Sequence, residues 1–148
     1  MRSVRHNGFT LLETLVVIVI MALIAAVMAP NLVSTANTRL RAAASELVAA
    51  LHDTRLYALS HREQAVLRVE LDPPGYLLPG SKTPRTLDRE LNLQLTSAAS
   101  DIIDRNSGTV RFYPDGSSNG GRISVSNGKL VQHIDVEWLT GRIQVREQ

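Results

Sequence analysis

The sequence predicts an α+β chain: one long N-terminal helix, half apolar and half amphipathic, packed on antiparallel β-sheet. Three observations carry this. Phe9 to Ala29 is an apolar run of 21 residues in which Glu13 alone carries a full charge. Residues 40 to 58 repeat apolar side chains with helical spacing. From Ala65 onward the period changes to two, with turn residues between the runs.

The apolar run comes first. As a helix, 21 residues reach about 32 Å, close to the hydrocarbon thickness of a bilayer. Arg2 and Arg5 precede it without an acid. A basic flank stays in the cytoplasm, so the rest of the chain is expected on the far side. A secretory signal has this outline, with a small-residue site at Val27-Met28-Ala29. Cutting there would leave Pro30 as the first mature residue, a poor junction, and the apolar core is long for a signal. An uncleaved anchor with an incidental acid is the other plain reading. A carboxylate in such a segment costs on the order of 3 kcal/mol at mid-bilayer, which asks for a partner and a role.

The helix is expected to run on to about Ser60. Leu40, Ala43, Ala44, Leu47, Val48, Leu51 and Ala58 share one face. Arg39, Arg41, Glu46, Asp53 and Arg55 fall largely on the other. Pro30 removes a backbone hydrogen bond and should bend the element. Two separate helices, one anchoring and one globular, are the alternative.

Ala65 to Leu71 reads as a strand ended by Pro73-Pro74-Gly75, and Tyr76 to Leu78 as a short return. Pro79 to Glu90 reads as an exposed, mobile loop. Leu91 to Leu95 alternates as a strand, and Thr96 to Ser107 fits no pattern. Thr109 to Tyr113 and Arg122 to Ser126 follow as strands. Asn127-Gly128 signals a two-residue hairpin. Leu130 to Leu139 is the partner strand, with Ile134, Val136 and Trp138 on one face. After Thr140-Gly141, Ile143 and Val145 alternate with Arg142, Gln144 and Arg146 in a last strand.

The whole chain has 148 residues, 16 Lys+Arg, 14 Asp+Glu and no cysteine. Disulfides and thiolate metal sites are therefore excluded. Without Arg2 and Arg5, basic and acidic residues balance, so no global charge attracts nucleic acid.

Gly8-Phe9-Thr10-Leu11-Leu12-Glu13, with the basic leader before it and Pro30 after the run, resembles the class III leader of type IV pilins and type II secretion pseudopilins. The resemblance implies cleavage by a prepilin peptidase after Gly8 and N-methylation of Phe9. It also implies roles in assembly for Glu13 and Thr10 and a helix bend at Pro30. In that family the glutamate of one subunit pairs with its neighbour's terminal amine, an interaction best suited to fixing register. A snorkelling acid near the interface is the plain alternative for Glu13. The implied layout is a cleaved cytoplasmic leader, 1–8, an inner-membrane span, 9–29, and a periplasmic pilin-like domain, 30–148.

Phe112-Tyr113-Pro114-Asp115-Gly116, its following hairpin and Thr140-Gly141-Arg142-Ile143 are similar to the H-type minor pseudopilins of type II secretion and their FimT pilin relatives. The implied function is a subunit at or near the tip of the periplasmic pseudopilus. Its partners would be the peptidase, other minor and major pseudopilins, and inner-membrane lipid, and it would need no cofactor. FimT relatives that bind DNA for uptake carry glycine-arginine-any-arginine at the terminal strand. Here Gln144 follows Arg142 and Ile143, and Arg146 comes two residues late. Nucleic acid is therefore the lesser alternative, with Arg142 and Arg146 as its contacts.

Other chemistries fail on spacing. Asp115, Ser117 and Asn119 imitate the opening of a calcium loop, but its twelfth position is Ser126. A glycine-rich turn explains the same residues. His52 and His61, nine apart, face opposite sides of a helix, and His133 stands alone in a strand. No nucleophile elbow, phosphate loop or paired carboxylates occur, so no catalytic residue is assigned.

Overall fold

The computed structural model describes residues 10–28, 31–97, 102–104 and 106–147, with side chains for 10–24, 36–97 and 106–147. The chain divides into two compact units, 1–35 and 36–148. In the first, α1 spans Leu11–Met28. Its apolar side chains, from Leu11 and Leu12 through Leu23 and Ile24, are exposed on every side. A helix apolar all round belongs in an apolar medium or a larger core. Pro30, and with it the expected bend, lies outside the described residues.

The second unit holds most of α2, Asn31–His61. The helix stops where Arg62 takes a left-handed conformation, φ 53°, a common way to close a final turn. Leu40, Ala43, Ala44, Leu47, Leu51 and Ala58 are buried as the spacing predicts, while Val48 is only partly so. Thr54 also sits on this face, fully buried. Its hydroxyl donates to the Ala50 carbonyl at 2.7 Å, which offsets the cost of burying it.

Among the described residues, nine strands form two antiparallel sheets. They are β1 Ala65–Leu71, β2 Pro74–Leu77, β3 Arg85–Thr86, β4 Asn92–Thr96, β5 Ile102–Asp104, β6 Ser107–Phe112, β7 Gly121–Ser126, β8 Val131–Val136 and β9 Ile143–Glu147. The first sheet has the order β3-β2-β1-β6-β5 and the second β4-β7-β8-β9. Leu67, Val69, Val110 and Phe112 of the first sheet join Leu93, Ile123, Val125 and Ile134 of the second and the apolar face of α2 in one core. Each fully buried aliphatic side chain there contributes roughly 1.5–3 kcal/mol by leaving water.

Several expectations are corrected. Pro79 to Glu90 is not simply a solvent loop: β3 pairs within it and Leu87 is buried. Asp88 and Glu90 both bind Arg39 of α2, at 3.2 and 3.3 Å. The β7–β8 connection is four residues long, because Ser126 pairs with Val131. Asn127 Oδ1 accepts the Lys129 and Leu130 amides, so the asparagine side chain, not a two-residue turn, closes the hairpin. Strand β8 ends at Val136, short of the expected Leu139, and Trp138, expected on one face with Ile134 and Val136, is 66% exposed while those two are buried. Glu46, placed on the solvent side, accepts a 2.8 Å bond from the buried Tyr76 hydroxyl. Burial first, and this acceptor second, hold that phenol above its ordinary pKa.

Candidate functional site

The leader junction, Gly8 and Phe9, lies outside the described residues; Thr10 and Glu13 do not. Thr10 caps α1. Its carbonyl accepts the Glu13 and Thr14 amides at 3.0 and 3.2 Å, and its Oγ1 accepts the Glu13 amide at 3.3 Å. Thr10-Leu11-Leu12-Glu13 therefore has the spacing of a capping box, a signal legible in the sequence that periodicity alone passes over. A carboxylate in the first turn also suits the positive end of the helix dipole. These local terms explain an acid at the start of a helix. They do not explain one inside a sleeve of exposed leucine, isoleucine and valine. Among the described residues no cation pairs with Glu13.

Among the described residues, no helix is long and apolar enough to cross a membrane. Helix α1 has 18 residues, about 27 Å of rise. The run predicted to span, 9–29, takes in residues beyond the described ones at both ends.

At the other end of the chain, the two motif turns meet. In the first, Gly116 N–H donates to the Tyr113 carbonyl at 2.9 Å, and Ser117 donates to Asp115 Oδ1 through both its amide and its hydroxyl. Those bonds hold the Asp115 carboxyl below its ordinary pKa. Asn119 Oδ1 accepts the Arg111 amide at 2.8 Å. The residues that imitate a calcium loop thus serve their own turn. In the second, Gly141 N–H donates to the Glu137 carbonyl at 2.9 Å, and Thr140 Oγ1 donates to Glu137 at 2.8 Å. One guanidinium joins the two: Arg55 donates to the Gly116 carbonyl at 3.1 Å and to the Thr140 carbonyl at 2.9 Å. Helical periodicity gives no sign of this, because it places Arg55 by angle and not by reach.

Arg142, just before β9, and Gln144 and Arg146 within it line one cleft of about 330 Å³, with Asp135 and Glu137 also in its lining. Both arginines have carboxylates. Arg142 pairs with Glu137 at 3.3 Å and Arg146 with Asp135 at 3.4 Å. Arg122 also grips Asp135 with two nitrogens, at 2.5 and 3.2 Å. The hydrogen bond from Arg122 is the main reason the Asp135 carboxyl lies below its ordinary pKa, and the charges of Arg122 and Arg146 add to it against burial.

A depressed carboxylate pKa stabilises the fold above the unfolded value, about 3.9, and that contribution disappears as pH falls through the folded value. Urea unfolding of the native chain and of Asp135→Asn should therefore differ at about pH 5, and the gap should begin to narrow below about pH 4. A gap unchanged down to pH 3 would mean the ionised pair does not stabilise the fold.

The histidines are separate. His61 stacks on Tyr57, with ring centroids 4.0 Å apart, while His133 Nδ1 lies 2.9 Å from Ser124 Oγ. Among the described residues no group of three metal-ligating side chains converges.

Comparison with known proteins agrees with both ends of the chain. A prokaryotic N-terminal methylation motif matches residues 4–29. The type II transport protein GspH family matches residues 43–140. The type II secretion system protein H of Xanthomonas campestris pv. campestris is 29% identical over 139 residues, which cover 93% of this chain and 82% of that one. The crystal structure of the type IV minor pilin FimU of Pseudomonas aeruginosa PAO1 superposes with a TM-score of 0.56 at 21% identity, over 74% of this chain and 90% of that one. That likeness carries the fold: a helix packed on antiparallel sheets, in the pilin manner. The GspH match runs from the buried face of α2 through both sheets to Thr140, and on it the chain belongs to the type II transport protein GspH family.

Proposed function

We propose that this chain is a minor pseudopilin, a structural subunit at or near the tip of the type II secretion pseudopilus, and that it supports export of folded proteins across the outer membrane. The observation that carries the reading is the pairing of an N-terminal methylation motif with a GspH domain in one chain. Membrane anchoring follows from the motif. In the proposed topology the leader, 1–8, is cytoplasmic, residues 9–29 span the inner membrane once, and the domain from Pro30 onward is periplasmic. The chain acts as a substrate of the prepilin peptidase and as a binding surface, not as a catalyst. Its assembly partners are the other minor and major pseudopilins.

Processing is the first test. Intact-mass analysis of membrane-extracted protein should find a chain that begins at methylated Phe9. A bulky residue at Gly8 should leave the leader attached, because the peptidase needs a small residue before the cut. A mature chain starting at Pro30, or an unprocessed chain in cells with active peptidase, would overturn the assignment. Assembly is the second test: the protein should associate with its sister minor subunits, and deleting its gene should reduce secretion. The rival reading, a DNA-binding minor pilin, needs Arg142 and Arg146 for phosphates. Gln144 stands where the DNA-binding relatives carry their second arginine, and that departure weighs against it.

A further inference from the structure

Among the described residues, four strands end the two sheets: β3 and β5 in the first, β4 and β9 in the second. Edge strands invite pairing with other chains, and folded proteins usually blunt them. Three of these are blunted. Strand β3 has two residues, β5 has three and a register shift, and β4 lies against β1 of the other sheet. Strand β9 has five residues, a continuous register with β8 and no proline. Among the described residues, the only strand that pairs with it is β8.

Its side chains are sorted by face. Ile143 and Val145 point one way, and Val145 remains 49% exposed. Gln144 and Arg146 point the other, in line with Arg142. The charges around the strand are also layered. Arg41, Arg142 and Arg146 leave 65%, 65% and 67% of their side chains in solvent, while their partners Glu147, Glu137 and Asp135 leave 47%, 42% and 23%. The positive groups stand outermost. A second copy of β9 laid on this edge would set arginine beside arginine, which cross-strand pairing disfavours.

We propose that the open edge of β9 accepts an extended segment of a neighbouring protein in which acidic and apolar side chains alternate. Its backbone continues the second sheet as a fifth strand. Its acids meet Arg142 and Arg146, and its apolar residues cover Ile143 and Val145. This rests on the reading of the chain as an assembly subunit and names the chemistry of one of its contacts.

The test uses the full chain in detergent micelles with three probes: a short blocked peptide alternating glutamate with valine, its lysine–valine counterpart, and a duplex DNA. The glutamate peptide should bind and slow amide hydrogen exchange at residues 143–147 but not at 92–96. The lysine peptide should not. Replacing both arginines, R142Q with R146Q, should weaken binding about tenfold, and R142K with R146K should restore most of it. Thermal unfolding of each variant separates lost binding from lost folding. Unchanged exchange at 143–147, or equal binding of both peptides, overturns the proposal. Duplex DNA that binds with the same arginine dependence and displaces the peptide also overturns it, in favour of the nucleic-acid reading. If the peptide fails while the sister minor subunits still bind, only the β9 contact is wrong. If those subunits fail to bind as well, the tip-subunit reading falls with it.

Discussion

Gly141→Ala should destabilise the C-terminal domain by about 3 kcal/mol, while Gly128→Ala should cost about 1. Both glycines have left-handed backbones, with φ 62° and 83°. An L side chain in that region costs roughly 1–2 kcal/mol whatever surrounds it. The difference lies in the space available. A methyl group at residue 128 meets nothing within 4 Å. At residue 141 it would collide with the Gly116 carbonyl oxygen and press on Arg55 Nε at 3.0 Å. The same oxygen accepts the Arg55 hydrogen bond. Relieving the collision therefore separates the two motif turns and strands the guanidinium. Urea unfolding of the two variants, followed by circular dichroism in the same micelles, gives the comparison. Equal losses would mean that the turns are not clamped together.

Glu13→Ala should have the larger effect in the cell. The variant should insert and lose its leader normally, because neither step uses the carboxylate. Secretion should then fall steeply, as subunits fail to dock. If Glu13 neutralises a neighbour's Phe9 amine, its removal strands a charge in an apolar setting, at a cost of roughly 3–5 kcal/mol. The helix cap supplies the control. Thr10→Ala removes the Oγ1 acceptor of the Glu13 amide and should cost about 1 kcal/mol of helix stability. If Glu13 serves only the start of α1, the two variants should secrete alike, and the pairing role is then wrong. If it pairs between subunits, Glu13→Ala should be far the worse.

The parts of the fold legible in sequence are those where one side chain's polarity decides its place. Ala65 to Leu71 was bounded correctly because alternation and the prolines after it agree. Helix α2 ends one residue beyond the expected Ser60, at a left-handed arginine that no rule would single out. Two of the errors share a cause: a long side chain whose destination is set by a partner distant in sequence. Arg55 and Glu46 read as solvent residues and reach across to a turn and to Tyr76. Trp138 reads as core because it continues the alternation of Ile134 and Val136, yet the strand has already ended when the chain turns at Glu137. Leu87 sits among prolines and charges, and Arg39 draws that segment in through Asp88 and Glu90. At the candidate site, the capping box was in plain view. The carboxylate partners of Arg142 and Arg146 depend on the β8–β9 register, which local pattern does not contain.

The Arg55 clamp also bears on the order in which the domain can form. Its two acceptors lie 61 and 85 residues further along the chain. Three of the four strands of the second sheet, β7, β8 and β9, come after residue 120. Contacts this distant make folding slow, because a large loop must close before they contribute. On the proposed topology the chain enters the periplasm from its helix onward, so the apolar face of α2 arrives there before the strands that cover it. Until the last residues cross, that face is a target for periplasmic proteases and for chaperones that hold unfolded chains. Loss of the final strand should accordingly appear as a fall in protein abundance, ahead of any defect in assembly.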